Sequence, residues 1–95
     1  MRLSQQELIN AICLHEAARR QIRPTDVEVE LLWDEDHGYS AEIFIAGRSQ
    51  YLVEANMLEA IMRYMFTEYG QRVYRDQIRL DIDDDANEMV AYIET

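Results

Sequence analysis

Residues 27–33 read Val27-Glu28-Val29-Glu30-Leu31-Leu32-Trp33, and their apolar and charged side chains alternate with a period of two. Successive residues of a strand point to opposite faces, so this pattern predicts a half-buried strand with Val27, Val29, Leu31 and Trp33 inward and Glu28, Glu30 and Asp34 in water. The period returns in Tyr39–Ile45, where Tyr39, Ala41, Ile43 and Ile45 continue the buried set, and again in Ser49–Glu54. Glu35-Asp36-His37-Gly38 has the composition of a hairpin loop, and Gly47 marks the next turn. For Tyr51 and Val53 to share the face of Ile45, the loop around Gly47 must hold an odd number of residues, because an even one turns Gln50 and Glu54 inward. A three-residue loop is therefore expected.

Helix patterns flank these strands. Ser4-Gln5-Gln6-Glu7 is a capping box, in which the Ser4 hydroxyl and the Glu7 carboxylate satisfy free amides of the first turn. The helix it opens is predicted over residues 5–21, with Leu8, Ile9, Ile12 and Cys13 on one side and Arg19, Arg20 and Arg23 near its negative end. Pro24-Thr25-Asp26 then stops it. Asn56-Met57-Leu58-Glu59 reads as a second box with Asn56 as the cap, followed by an apolar stripe of Leu58, Ile61, Met62, Met65 and Tyr69 up to the stop at Gly70. Two further alternating runs, Gln77–Asp83 and Met89–Glu94, offer Ile78, Leu80, Ile82, Met89, Ala91 and Ile93 to the core.

The element order is thus α-β-β-β-α-β-β. It predicts an α+β domain over residues 1–95, two layers deep, with a five-stranded, mainly antiparallel sheet in the order 4-5-1-2-3 and two helices on one face. Ninety-five residues bury only about 60 to 65% of the unfolded surface, so one core must serve every element.

Composition narrows the function. Apolar residues make up 48% and charged residues 29%, an ordinary globular balance. A net charge of −10 repels phosphate backbones and anionic membranes, so neither nucleic acid nor membrane is an expected partner. The single Cys13 forms no internal disulfide and sits where a small buried hydrophobe belongs, which points to a reducing, cytoplasmic setting. The chain leads from Met1–Leu3 straight into a helix start, and no apolar run approaches the roughly 18 residues of a membrane span.

The candidate chemical motifs are all incomplete. Asp83, Asp85, Asn87 and Glu94 match positions one, three, five and twelve of a calcium loop, but Glu88 stands where the sharp turn needs glycine. Asp34, Glu35, Asp36 and His37 form a second acidic loop that a distant ligand could complete as a cation site, or that simply dresses an exposed turn. His15-Glu16 begins like the zinc-protease helix motif, yet Arg19 occupies the place of its second histidine. Glu16 falls on the apolar face of its helix: buried, its pKa would rise and it could act as a general acid, whereas at the sheet margin it would reach solvent or pair with Arg20. No nucleophile with a base, phosphate loop or paired-cysteine knuckle is recognisable, so no catalytic residue and no cofactor is assigned.

The outward sheet face carries Leu32, Phe44, Leu52, Val90 and Tyr92 among its carboxylates. With an odd loop at Gly47, Phe44 and Leu52 fall together across neighbouring strands, and a contiguous apolar patch rimmed by charge marks an interface. Scattered singly, the same residues would be ordinary surface.

Across Ile9-Asn10-Ala11-Ile12-Cys13-Leu14, across Val27 to Asp34, and through Gly38-Tyr39-Ser40-Ala41-Glu42 to Glu54-Ala55-Asn56, the chain resembles the small YxcD-type bacterial family, a domain of unknown function found mainly in bacilli and their relatives. That resemblance implies no activity, cofactor or site residue. The order α-β-β-β-α also occurs in double-stranded RNA-binding domains, but those need a basic edge, and the second helix here has no cation in its first turn. Three readings follow: a non-catalytic cytoplasmic interaction module or homodimer using the outer sheet face, a divalent-metal or small-ligand binder using the acidic loops, and an acidic mimic of nucleic acid.

Overall fold

The protein is described by a computed structural model covering residues 1–94; Thr95, the last residue of the expected domain, lies outside the described residues. The capping box forms as the sequence dictates. Glu7 N donates to the Ser4 hydroxyl and Ser4 N to the Glu7 carboxylate, and helix α1 runs over Gln5–Arg20. Before it, Arg2–Leu3 forms a two-residue strand, β1. A 3₁₀ turn at Pro24–Asp26 leads into β2 (Glu28–Asp34), β3 (Gly38–Ile45) and β4 (Arg48–Val53). Helix α2 (Glu54–Tyr69) follows without a loop, then a 3₁₀ turn at Arg75–Gln77, β5 (Ile78–Asp83) and β6 (Glu88–Ile93).

The strands make two three-stranded antiparallel sheets, β2-β3-β4 and β1-β6-β5, and not the single five-stranded sheet expected in the order 4-5-1-2-3. The reason lies at the edge of β6 that was to receive β2. There β1 pairs Arg2 with Tyr92 and Leu3 with Ala91. Met1 and Ile93 exchange backbone hydrogen bonds at 2.7 and 3.0 Å, and the Gln5 side chain accepts the Met89 amide at 2.9 Å. Every second residue of β6 is thereby occupied, and two residues of strand suffice because a glutamine side chain extends them.

The hairpin at Gly47 departs from expectation in the same decisive way. Its loop holds two residues, Ala46 and Gly47, closed by the pair Ile45–Arg48. Both have positive φ, 52° and 79°, the type I′ geometry whose twist matches that of the flanking strands. The even loop reverses the parity of β4: Leu52 turns inward and is 4% exposed, while Tyr51 and Val53 turn outward at 64% and 62%. Gln50 also takes the inner face, but at its open margin, where the Arg20 guanidinium donates to its amide oxygen. At the start of α2, Asn56 is not the cap; Val53 is, and Asn56 reaches back to accept its amide at 3.2 Å.

One apolar cluster joins both layers. Leu8 and Ile12 of α1, Ile61 and Met65 of α2, Ala41, Ile43 and Leu52 of one sheet, and Leu3, Leu80, Met89 and Ala91 of the other are all buried in it. The first turn of α1 meets the last turn of α2, where Tyr69 and Tyr64 donate to the Glu7 carboxylate at 2.5 and 3.4 Å. Tyr69, expected in the buried stripe, therefore stands at its exposed end. Trp33, also expected inside, lies at the end of the sheet and is 48% exposed.

Candidate interaction surface

Alternation and register place the outer face of the β2-β3-β4 sheet. Leu32, Ser40 and Val53 form one row across it, and Glu30, Glu42 and Tyr51 the next. At the β2-β3 hairpin end of the sheet lies a cleft of about 590 Å³ that draws on both faces, Leu32, Tyr51 and Val53 lining it from the outer face and Trp33 and Tyr39 from the margin of the inner one, with Asp34 and His37 at its rim. The Trp33 and Tyr39 rings pack at 4.6 Å between centroids with a 30° tilt. Gly38, at φ 68°, lets the loop close beside them, and a β-carbon there would touch the Trp33 ring at 4.0 Å. Burial, and then the Asp81 and Glu54 carboxylates, push the Tyr39 hydroxyl above its usual pKa.

The rim is held by Asp34. Its carboxylate accepts the His37 amide at 2.6 Å and lies 3.1 Å from the His37 ring nitrogen. The backbone hydrogen bond from His37 is the main cause that lowers the Asp34 pKa. Glu35 and Asp36 point outward from this loop as exposed residues.

The five residues expected to form one outer patch do not meet. Leu32 lines the cleft. Phe44 is half-buried at the other end of the sheet, opposite Glu28 and Ser49. Leu52 belongs to the core for the parity reason given above. Val90 and Tyr92 belong to the second sheet, Val90 fully buried and Tyr92 beneath the Arg79 guanidinium, 4.7 Å from its ring centroid. Exposed apolar surface collects instead around Tyr51, Val53 and Trp33, and a two-residue reading of the Ala46-Gly47 turn would have brought the first two there from sequence.

The calcium-loop candidates also separate. The Asp83 carboxylate is engaged by the Asp85 and Ala86 amides and by Arg2. Asn87 takes the left-handed position of the turn, at φ 54°. Glu94 follows the far end of β6, roughly 20 Å away at the strand rise per residue. Among the described residues no three His, Cys, Asp or Glu side chains converge as a bound ion would need.

Glu16 is fully buried and lies 2.9 Å from Arg19 and 3.7 Å from Arg20. Burial and ion pairing, posed as alternatives by the sequence, occur together, and no substrate can reach this carboxylate. Beside it, His15 Nδ1 is buried with no hydrogen-bond partner among the described residues; desolvation lowers its pKa, opposed by the Glu16 and Glu59 charges. The Cys13 thiol donates to the Val27 carbonyl at 3.5 Å, and burial raises its pKa, the opposite of what a reactive thiol needs.

Residues 1–85 match the family described as "Protein of unknown function (DUF2653)". The chain belongs to that family. The match agrees with the small uncharacterised family that the residues resemble, without carrying the YxcD name. It takes in every element of the DUF2653 chain from β1 through β5 and ends within the acidic turn before β6. No curated protein and no solved structure matches. No helix among the described residues is long and apolar enough to cross a membrane.

Proposed function

We propose that this DUF2653 protein is a non-catalytic protein-interaction module that works through the β2-β3 hairpin end of the β2-β3-β4 sheet. The observation that carries this reading is the concentration of exposed Trp33, Tyr51 and Val53 about one cleft, on a surface otherwise rich in carboxylates. Large aromatic side chains ordered by a rigid sheet give contact area at low entropic cost, which is why Trp and Tyr dominate binding hot spots. The residues with catalytic potential are engaged elsewhere: Glu16 by two arginines, Asp83 by its turn and Arg2. A reducing, cytoplasmic setting is supported by the half-buried free thiol of Cys13.

The test is photo-crosslinking in cells, with benzoylphenylalanine replacing Tyr51 or, as control, the exposed Phe66 of α2. An adduct from position 51, lost on Val53→Glu and missing from position 66, is the expected result. Equal adducts from both positions, or none from position 51, would overturn the reading.

A further inference from the structure

The two sheets leave four strand edges, β1 and β5 in one and β2 and β4 in the other. Unpaired edges invite pairing with another strand, and proteins blunt them by shortness or charge. Three edges here are blunted. β1 has two residues, β2 carries Glu28, Glu30 and Asp34, and β5 carries Arg79, Asp81 and Asp83. β4 is six residues long, Arg48-Ser49-Gln50-Tyr51-Leu52-Val53, with Arg48 its single charge and no proline.

Which of its peptide groups are open follows from the turn. In the type I′ turn the Arg48 amide faces the Ile45 carbonyl, so Arg48 and then Gln50 and Leu52 direct their backbone groups to β3. Ser49, Tyr51 and Val53 direct theirs to the open edge. The Val53 amide confirms this alternation, since it donates to Asn56 and not to β3. With Val53 capped, Ser49 and Tyr51 are the two residues presenting free peptide groups.

We propose that β4 pairs antiparallel with β4 of a second copy of this chain, about a two-fold axis at Gln50, joining the β2-β3-β4 sheets into one of six strands. This deepens, and rests on, the reading of that sheet as the interaction surface. The free groups are symmetric about Gln50: Ser49 of each copy meets Tyr51 of the other, and all four peptide groups at each end are matched. Residues 49 and 51 share the outer face, so the parity of a direct pair is kept. Charge selects the same edge among those longer than two residues. Each copy carries −10, and β2 and β5 would set strand carboxylates between two such chains where β4 sets none.

The experiment is molar mass by light scattering over a dilution series of about 1 to 200 μM, the range in which small interfaces dissociate. The mass should fall on dilution from twice the chain's 11.3 kDa to once, and rising salt should favour the dimer by screening two acidic copies. Ser49→Pro removes an outward amide while sparing the β3 ladder, and Tyr51→Lys places a charge on the edge. Both should stay monomeric at every concentration with an unchanged circular dichroism spectrum; if Ser49→Pro fails to fold, Tyr51→Lys decides. A wild-type monomer throughout, or a dimer that survives both substitutions, overturns the pairing. A monomer that still gives position-51 adducts with another protein removes the self-pairing alone, whereas a monomer without such adducts removes the interaction reading as well.

Discussion

Arg2 and Asp83 lie on strands that never touch, yet their side chains meet at 2.7 Å. β6 separates β1 from β5, with Arg2 in register with Tyr92 and Asp83 with Glu88. The bridge therefore crosses β6 between those two positions, over Val90. This accounts for a valine that points away from Met89, Ala91 and Ile93 and is nevertheless fully buried. Val90→Ala should cost about 2 kcal/mol, as for a core site losing two methylene equivalents. Arg2→Ala should cost about 1 kcal/mol or less, since the pair itself is partly exposed and part of the loss is aliphatic cover. Urea unfolding of the two variants checks the order.

Glu16 makes an asymmetric prediction. Its carboxylate is fully buried, while Arg19 and Arg20 are partly in water. Removing both arginines strands a buried charge and should cost about 3 kcal/mol or more. Glu16→Gln lets the arginines return to solvent and should cost about 1 to 2 kcal/mol. Equal losses in chemical denaturation would show that the carboxylate is solvated after all.

Glu30 and Glu42 face each other directly across β2 and β3. Like charges in that position destabilise a sheet, so Glu42→Gln should raise stability by about 0.5 kcal/mol. The gain should shrink at high salt, where the repulsion it relieves is screened. A thermal melt at low and high ionic strength gives both numbers.

Tyr69 supplies a pH signature. Its hydrogen bond to Glu7, reinforced by desolvation and the Glu7 charge, pushes its pKa up to about 12. A folded pKa raised above the unfolded value means that the contact stabilises the protein fully below pH about 10 and loses that contribution as pH rises through the folded value. Ultraviolet titration should show a late-ionising tyrosine that disappears in Tyr69→Phe and moves to lower pH in Glu7→Gln.

Much of this fold can be read from local chemistry. Ser4 and Glu7 announce α1, Gly70 ends α2, and the alternations in residues 27–33, 39–45, 77–83 and 89–94 give strands where strands occur. The errors have three physical sources. Two residues of β1 are too short to show a period, so nothing local reveals that they cover the edge of β6 and divide the sheet in two. The Ala46-Gly47 turn places a non-glycine at positive φ, and the preference for a tight I′ hairpin outweighs the presence of Gln50 on the inner face. That single parity exchanged Leu52 for Tyr51 and Val53, and with them the predicted patch for the observed one. Val90 shows a third limit: alternation assigns a face, but an ion pair across a strand decides whether that face is wet.

Amide hydrogen exchange of Ser49, Gln50, Tyr51 and Leu52, followed at low and high protein concentration, tests the β4 edge most directly. Gln50 and Leu52 should be protected at both concentrations by β3, while Ser49 and Tyr51 exchange freely when dilute and become protected when concentrated. Protection of Ser49 and Tyr51 that does not change with concentration, in either sense, would contradict pairing through this edge.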